Sequence, residues 1–151
     1  MRTGVRIGID PGSVRVGVAR SDASGTLAVP VVTLRRGKGD IDHIAALVVE
    51  YEAIEVLVGV PLSLNGRQGV AAKGALDYAE SIAARISPIE VRTVDERLST
   101  VQAQRGLTKA GISTRHGKSV IDQAAAVIIV QHALDAERMS GIPLGTTVRN
   151  L

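Results

Sequence analysis

The 151-residue chain contains no cysteine, phenylalanine or tryptophan, and its two tyrosines are Tyr51 and Tyr78. The lack of cysteine excludes disulfides, thiolate zinc sites and thiol nucleophiles. The scarcity of aromatic side chains argues against nucleic-acid modules that stack bases on a sheet. No uncharged run approaches the ~18 residues of a membrane span, and the N-terminus lacks the apolar segment of a secretory signal. We therefore expect a cytoplasmic protein with no membrane association.

Net charge is also small, since 18 Lys and Arg oppose 15 Asp and Glu and leave +3. A sequence pI near 9.7 hints at nucleic acid, but so small an excess over a whole domain is weak evidence. Of the basic residues 14 are Arg, whose planar guanidinium suits phosphate, although GC-rich coding produces the same bias. Hydrophobic residues make up 45%. We expect one core and one domain over residues 1–151.

Three β-branched runs open the chain, at residues 5–10, 14–20 and 26–34. The turn sequence Pro11-Gly12-Ser13 and a second turn at 22–25 separate them, which predicts an antiparallel meander.

The rest of the chain alternates between helical and strand patterns. The predicted elements are a helix with Asp40 as N-cap, a strand at 55–60, an Ala-rich helix ending near 86, a strand at 89–94, a helix from the Ser99-Thr100-Val101-Gln102 capping box to about 109, a loop at 112–117, a helix at 119–139 and a loose tail from about 142. The order βββαβαβαα predicts a mixed five-stranded sheet with helices on both faces.

Asp10 ends the first strand, where open α/β sheets bind ligands. The alternative interpretation is turn chemistry, because Asp before Pro-Gly starts turns well. Gly8, Gly12 and Gly17 surround Asp10 in the sequence. Their missing Cβ atoms are expected to leave room for a phosphate or a metal ion.

Asp95 and Glu96 end a later strand, directly before a predicted helix. The helix dipole explains one acid there, but the capping box already serves that helix, so two adjacent acids also suggest a functional role. Asp122 lies in the apolar part of the last helix, where we expect burial and hence a need for a cation. Lys118, four residues earlier, is the alternative partner. The neighbouring residues 125 and 126 are both Ala, which predicts a close approach of this helix to the sheet.

These acids predict a site for hard divalent cations. Carboxylate ligands without cysteine or a histidine cluster select Mg²⁺ or Mn²⁺ over zinc, and two such ions would support phosphodiester hydrolysis. We interpret His43 and His132 as structural or solvated. His116 lies near Arg115 and Lys118, and is a candidate phosphate contact.

Four ordered motifs closely resemble the YqgF/RuvX family over nearly the whole chain. They are GIDPGSVRVGVA at 8–19, VGVPLSLNG at 58–66, VDERLST at 94–100 and KSVIDQAAAVII at 118–129. The resemblance implies an RNase H-like, RuvC-like fold and a nuclease described both as a Holliday junction resolvase and as a nuclease maturing the 5′ end of pre-16S rRNA. It also implies that Asp10, Glu96 and Asp122 form an acidic triad, with Asp95 as the alternative to Glu96. Asn65 stands where some members have Asp, so the resemblance does not carry a fourth carboxylate ligand to this position.

Nucleic acid, as pre-rRNA or branched DNA, is the expected partner. The candidate phosphate contacts near the motifs are Arg15, Arg97, Arg115, His116 and Lys118, and the alternative for each is a solvated charge. Symmetric cutting of a junction would require a homodimer. Two other functions stay open: an actin-like ATPase, since Asp10-Pro11-Gly12 resembles a phosphate loop of enzymes that need two such domains, and a module that binds nucleic acid without cutting it.

Overall fold

A computed structural model describes residues 1–37, 39–61, 69–96 and 115–148, and side chains of the last range from Asp122 onward. The elements are β1 (Arg6–Pro11), β2 (Arg15–Ser21), β3 (Ala28–Arg35), α1 (Asp40–Glu50), β4 (Glu55–Val60), α2 (Val70–Ile86), β5 (Glu90–Asp95), α3 (Arg115–Ser140) and β6 (Thr146–Thr147). The predicted strands are confirmed to within two residues. The helix predicted from Ser99 to about 109 lies outside the described residues.

The strands form one mixed sheet in the order β3-β2-β1-β4-β5-β6. Strand β1 runs antiparallel to β2 and parallel to β4, and β5 is parallel to β4. This confirms the predicted meander followed by βαβ connections. The short strand β6 was not predicted: Thr146 and Thr147 pair antiparallel with Thr93 and Arg92. Two threonines carry no alternating apolar pattern, and the free edge of β5 supplies the pairing.

The two faces of the sheet are covered by different helices. Alternating strand residues such as Ile7, Ile9, Val16 and Val18 point to one face and form a continuous core with α1 and α2. The other face packs against α3, through the two smaller clusters that contain Ala125 and Ala126. Within the described residues, no helix has the length and apolar character needed to cross a bilayer.

Helix α3 lies directly on the backbone of the sheet. A methyl group on Gly17 would overlap the backbone of Asp122, and one on Gly8 would overlap Val130. Ala126 is fully buried, so the close approach expected from the alanines is confirmed. The expectation that Gly8 and Gly17 leave room for a ligand was wrong, because the helix itself fills that space.

Two predicted helix starts need correction. Helix α3 begins at Arg115, so part of the predicted loop at 112–117 is helical. The N-cap of α1 is Gly39 and not Asp40. The buried Asp40 carboxylate instead accepts a hydrogen bond from the Tyr78 hydroxyl at 2.6 Å. Burial opposes ionisation of Asp40, but this bond and backbone N–H groups outweigh it and lower its pKa.

A buried group of charges lies at the amino end of β1; we name Arg2, Arg6, Glu55 and Glu137 the arginine–glutamate cluster. Arg6 Nη2 lies 3.0 Å from Glu137 Oε2, and Arg2 Nη2 lies 2.6 Å from Glu137 Oε1 and 3.0 Å from Glu55 Oε1. Hydrogen bonds from Arg2 are the main reason that the pKa of Glu137 falls to about 2. The cluster ties the N-terminal segment to β1, β4 and the end of α3.

Candidate active site

Asp10 is the penultimate residue of β1 and lies on the face covered by α3, because it alternates with Gly8. Its register partner on β2 is Gly17, the residue that touches the backbone of Asp122. Asp10 is only 4% exposed. The fold therefore places a buried carboxylate at the carboxyl end of a central strand, directly beside the contact between β2 and α3.

The two adjacent acids at the end of β5, Asp95 and Glu96, point to opposite faces of the sheet. Glu96 is buried, and its Oε1 lies 2.7 Å from the position of a methyl group built on Gly59, which also faces Ile129 of α3. Asp95 is the register partner of Val60, whose side chain packs against α2. Glu96 is therefore on the face of Asp10, whereas Asp95 lies on the α2 face.

Asp122 lies above β2 and forms an ion pair with Arg15, whose Nε lies 3.1 Å from Asp122 Oδ2. The side chains are 34% and 22% exposed, respectively, so the expectation of a fully buried Asp122 was wrong. The side chain of Lys118, the alternative partner, lies outside those described. Gln123 donates a hydrogen bond to the Thr33 hydroxyl at 3.0 Å, which fixes this part of α3 against β3.

The three predicted triad residues thus belong to β1, the end of β5 and α3. They lie at the same end of the sheet face that α3 covers. Extending the register between Ile9 and Val58 places Asp10 beside Gly59, the glycine that Glu96 touches. As they stand, no three or more Asp, Glu or His side chains among the described residues form a group that could hold a metal ion. The pairing of Asp122 with Arg15 is one physical reason, because a guanidinium occupies an oxygen that a metal would use.

The donor set nevertheless fits a hard divalent cation. Asp10, Glu96 and Asp122 offer carboxylate oxygens, the ligands of Mg²⁺ and Mn²⁺, and their backbones already share one face. The chemistry and the placement agree with such an ion, and side-chain rearrangement at Asp122 would be needed to complete its ligands.

The other predicted residues lie elsewhere or outside the described part. His43 is exposed on α1, on the opposite face, and His132 lies ten residues along α3 from Asp122, roughly 15 Å away along the helix axis. Arg97 lies outside the described residues. Arg115, His116 and Lys118 belong to the start of α3, but their side chains are not among those described.

Sequence reasoning missed Arg36, which fixes the turn after Asp10. Its Nη1 donates to the Gly12 carbonyl at 2.8 Å and its Nη2 to the Gly74 carbonyl at 3.2 Å. The guanidinium also lies 4.7 Å above the centre of the Tyr78 ring. The basic turn at 35–39 was visible in the sequence, but nothing in it distinguished the bridging role of the partly buried Arg36 from a solvated charge.

Comparison with known proteins gives matches over most of the chain. A family profile described as RuvX: Holliday junction resolvase matches residues 4–136. A protein of Thermobifida fusca (strain YX), which carries the provisional name pre-16S rRNA nuclease, is 53% identical over 155 aligned residues and 98% of each chain. A Nocardioides sp. (strain ATCC BAA-499 / JS614) protein with the same name is 52% identical, again over 98% of each chain.

Solved structures share the fold at low sequence identity. Thermus thermophilus RuvC in complex with a Holliday junction substrate matches with a TM-score of 0.56 and 16% identity, over 93% of this chain and 99% of that one. The structure titled Thermus thermophilus RuvC structure gives 0.54 and 14%, over 95% and 99%. These likenesses confirm the expected RNase H-like, RuvC-type α/β fold.

Proposed function

The chain belongs to the RuvX (YqgF) family, and from this premise we propose that it is a divalent-metal-dependent endonuclease acting on structured nucleic acid. The candidate substrates are the 5′ end of pre-16S rRNA, suggested by the name of the relatives, and Holliday junction DNA, suggested by the family description. One observation carries the proposal. Asp10, Glu96 and Asp122 belong to three separate elements, and all three lie at the same end of the same face of the sheet.

In this proposal Asp10, Glu96 and Asp122 hold one or two Mg²⁺ or Mn²⁺ ions. Ions bound there would lower the pKa of an attacking water and stabilise the leaving oxygen of the phosphodiester. The protein contributes ligand placement: Asp10 is fixed by β1, Glu96 by its contact at Gly59, and Asp122 by the seating of α3 on Gly17.

Glu96 is the proposed ligand in preference to Asp95. Asp95 alternates with Val94, which packs against α3, and therefore lies on the other face of the sheet. Reaching the face of Asp10 would require Asp95 to leave the regular pleat of β5. Asp95→Asn is accordingly expected to retain most of the cleavage rate, whereas Glu96→Gln is not.

Among the candidate phosphate contacts, Arg15 is the residue whose side chain the structure describes. We propose it as a contact because it borders the acids and its side chain is one-third exposed. Its register partner Arg35 is exposed beside it and adds positive charge at this edge. Arg97, Arg115, His116 and Lys118 stay predictions from the sequence. Each phosphate neutralised should contribute ~0.7–0.9 to the slope of log affinity against log salt.

The deciding experiment compares cleavage of a pre-16S rRNA fragment and a four-way DNA junction, each with Mg²⁺ and with Mn²⁺. Asp10→Asn and Asp122→Asn should lower the cleavage rate at least ~100-fold while largely sparing binding. Asp42→Asn is the matched control, because Asp42 also pairs with an arginine Nε at 3.1 Å but lies on α1.

Three outcomes would contradict the proposal. They are undiminished cutting by both site variants, binding of both substrates without any cutting, and ATP turnover in place of nuclease activity. A protein that cuts the junction symmetrically should also be a dimer at the assay concentration. Cutting of the RNA alone by a monomer would assign the substrate to pre-rRNA.

A further inference from the structure

The ion pair between Arg15 and Asp122 joins a candidate phosphate contact to a candidate metal ligand. The atoms Nε and Oδ2 are 3.1 Å apart, and both side chains are partly exposed. Partly exposed ion pairs are weak and exchange partners readily, because water compensates much of the loss. This pair therefore differs from a permanent structural contact.

The fold brings Arg15 and Asp122 together on the face of the sheet that α3 covers. Arg15 shares the α3 face with Gly17, and the seating of α3 on Gly17 places Asp122 above β2. On the neighbouring strand the register partner of Arg15 is Arg35, so like charges lie side by side. The Asp122 carboxylate relieves that repulsion, and Arg15 in turn neutralises a carboxylate near Asp10.

We propose that Arg15 is an exchangeable counter-ion that pairs with Asp122 until a divalent cation takes the carboxylate, after which the guanidinium binds a phosphate of the nucleic acid. A guanidinium and a divalent ion on the same carboxylate would repel each other strongly at such short range. The Arg15 side chain is one-third exposed, so its release toward a polyanion requires only side-chain rotation. This inference rests on the proposed function.

The exchange couples metal binding to substrate binding. Metal frees Arg15 for a phosphate, and phosphate binding removes the competitor of the metal, so each event strengthens the other by the same factor. Arg15 is thus a positioning residue for Asp122 in the metal-free protein and a phosphate contact in the loaded one.

The first test measures Mn²⁺ affinity by calorimetry in the absence of nucleic acid. Arg15→Gln should bind Mn²⁺ about two- to tenfold more tightly than the wild type, the change expected for removing a partly exposed competitor. Arg85→Gln is the matched control, since Arg85 Nε also lies 3.1 Å from a carboxylate, that of Asp42 on the opposite face. Unchanged or weaker Mn²⁺ binding by Arg15→Gln would overturn the proposal.

The second test measures the salt dependence of junction binding, with Ca²⁺ and without metal, after a gel has shown that the DNA stays intact. With Ca²⁺ the slope of Arg15→Gln should be lower than that of the wild type by ~0.7–0.9. Without metal the two slopes should agree, because Arg15 is then held by Asp122. Equal slopes with Ca²⁺, or the same difference under both conditions, would refute the exchange.

Three further variants keep the tests decisive. Arg15→Lys retains a cation without the guanidinium fork and should have a Mn²⁺ affinity between those of the wild type and Arg15→Gln. If thermal melting shows that Arg15→Gln does not fold, the Mn²⁺ affinity of Arg15→Lys serves as the first test. Cutting that survives in Asp10→Asn and Asp122→Asn would refute the proposed function, and this inference with it. Loss of cutting in those variants together with wild-type Mn²⁺ affinity in Arg15→Gln would refute the exchange alone.

Discussion

The two ends of the sheet use arginine–carboxylate pairs of nearly the same length in different ways. In the arginine–glutamate cluster, Arg6 and Glu137 lie 3.0 Å apart with side chains 1% and 4% exposed. At the carboxyl end of β1, Arg15 and Asp122 lie 3.1 Å apart and are 34% and 22% exposed. Distance therefore does not distinguish the pairs; access to water does.

Solvent access decides what each pair can do. A buried pair cannot lose one partner without leaving an uncompensated charge away from water, so it holds elements together. A partly exposed pair has replacement partners at hand, in water or in a bound ion. The arginine–glutamate cluster thus stabilises the fold, whereas the Arg15–Asp122 pair can exchange partners. Variants at each end of the sheet test this division between a structural pair and an exchangeable one.

Glu137→Gln should lower the free energy of unfolding by about 3–5 kcal/mol, because Arg6 would remain buried with its counter-charge gone. Urea unfolding of both proteins measures the loss. Asp135→Asn, on the same helix, is the control, since Asp135 pairs with Arg138 in an exposed position. A loss below about 1 kcal/mol for Glu137→Gln would show that the buried cluster is not structural.

Low pH should lower the free energy of unfolding by protonating the Glu137 carboxylate. The pKa of Glu137 is lowered from 4.5 to about 2 by its hydrogen bonds from Arg2 and by the charge of Arg6. The folded pKa lies below the unfolded one, so this stability is complete above about pH 4.5 and is lost as the pH falls toward 2. The contribution is about 2–3 kcal/mol. Unfolding curves at several pH values should show it, and Glu137→Gln should lack it.

Gly17→Ala should cost about 1–3 kcal/mol and also impair cleavage, because the new methyl group would push the backbone of Asp122 away from β2. Cleavage rates and urea unfolding measure the two effects. Gly74→Ala is the control, since among the described residues its methyl group would meet only Arg36, at 4.0 Å. This change should leave stability unchanged or raise it. Equal behaviour of the two variants would contradict close packing at Gly17.

Asp122→Asn should change the free energy of unfolding by less than about 1 kcal/mol, because its ion pair is partly exposed. Binding of Mg²⁺ should raise the melting temperature of the wild type and have little effect on this variant. Thermal melting with and without Mg²⁺ measures both. A loss comparable to that of Glu137→Gln would remove the distinction between the two ends of the sheet.

The sequence predicted the parts of the molecule that local patterns control. β-branched runs and turn residues predicted five strands, and Ala125 and Ala126 predicted the close approach of the last helix. Asp10 was found because strand ends bind ligands, and the four motifs carried the family resemblance. The assignment of Asp10, Glu96 and Asp122 as metal ligands stays a prediction, which the shared face supports.

Contacts between distant residues could not be predicted. Arg15 and Asp122 are 107 positions apart, and Lys118 was the nearer partner by sequence. Arg36 bridges Gly12 and Gly74 by backbone carbonyls, which any residues there would offer. The opposite faces of Asp95 and Glu96 depend on where the pleat of β5 ends, and a sequence pattern locates that boundary only to within a few residues.

The seating of α3 on Gly17 also determines when the proposed metal site can form during synthesis of the chain. Strands β1 and β2, with Asp10, emerge early and can pair as a hairpin, since chains fold from the N-terminus as they are made. Asp122 reaches its place only after α3 has been translated and has docked on the finished sheet. On the proposed function, in which Asp122 is a metal ligand, the nascent chain would therefore gain the capacity to cut only in this late docking step.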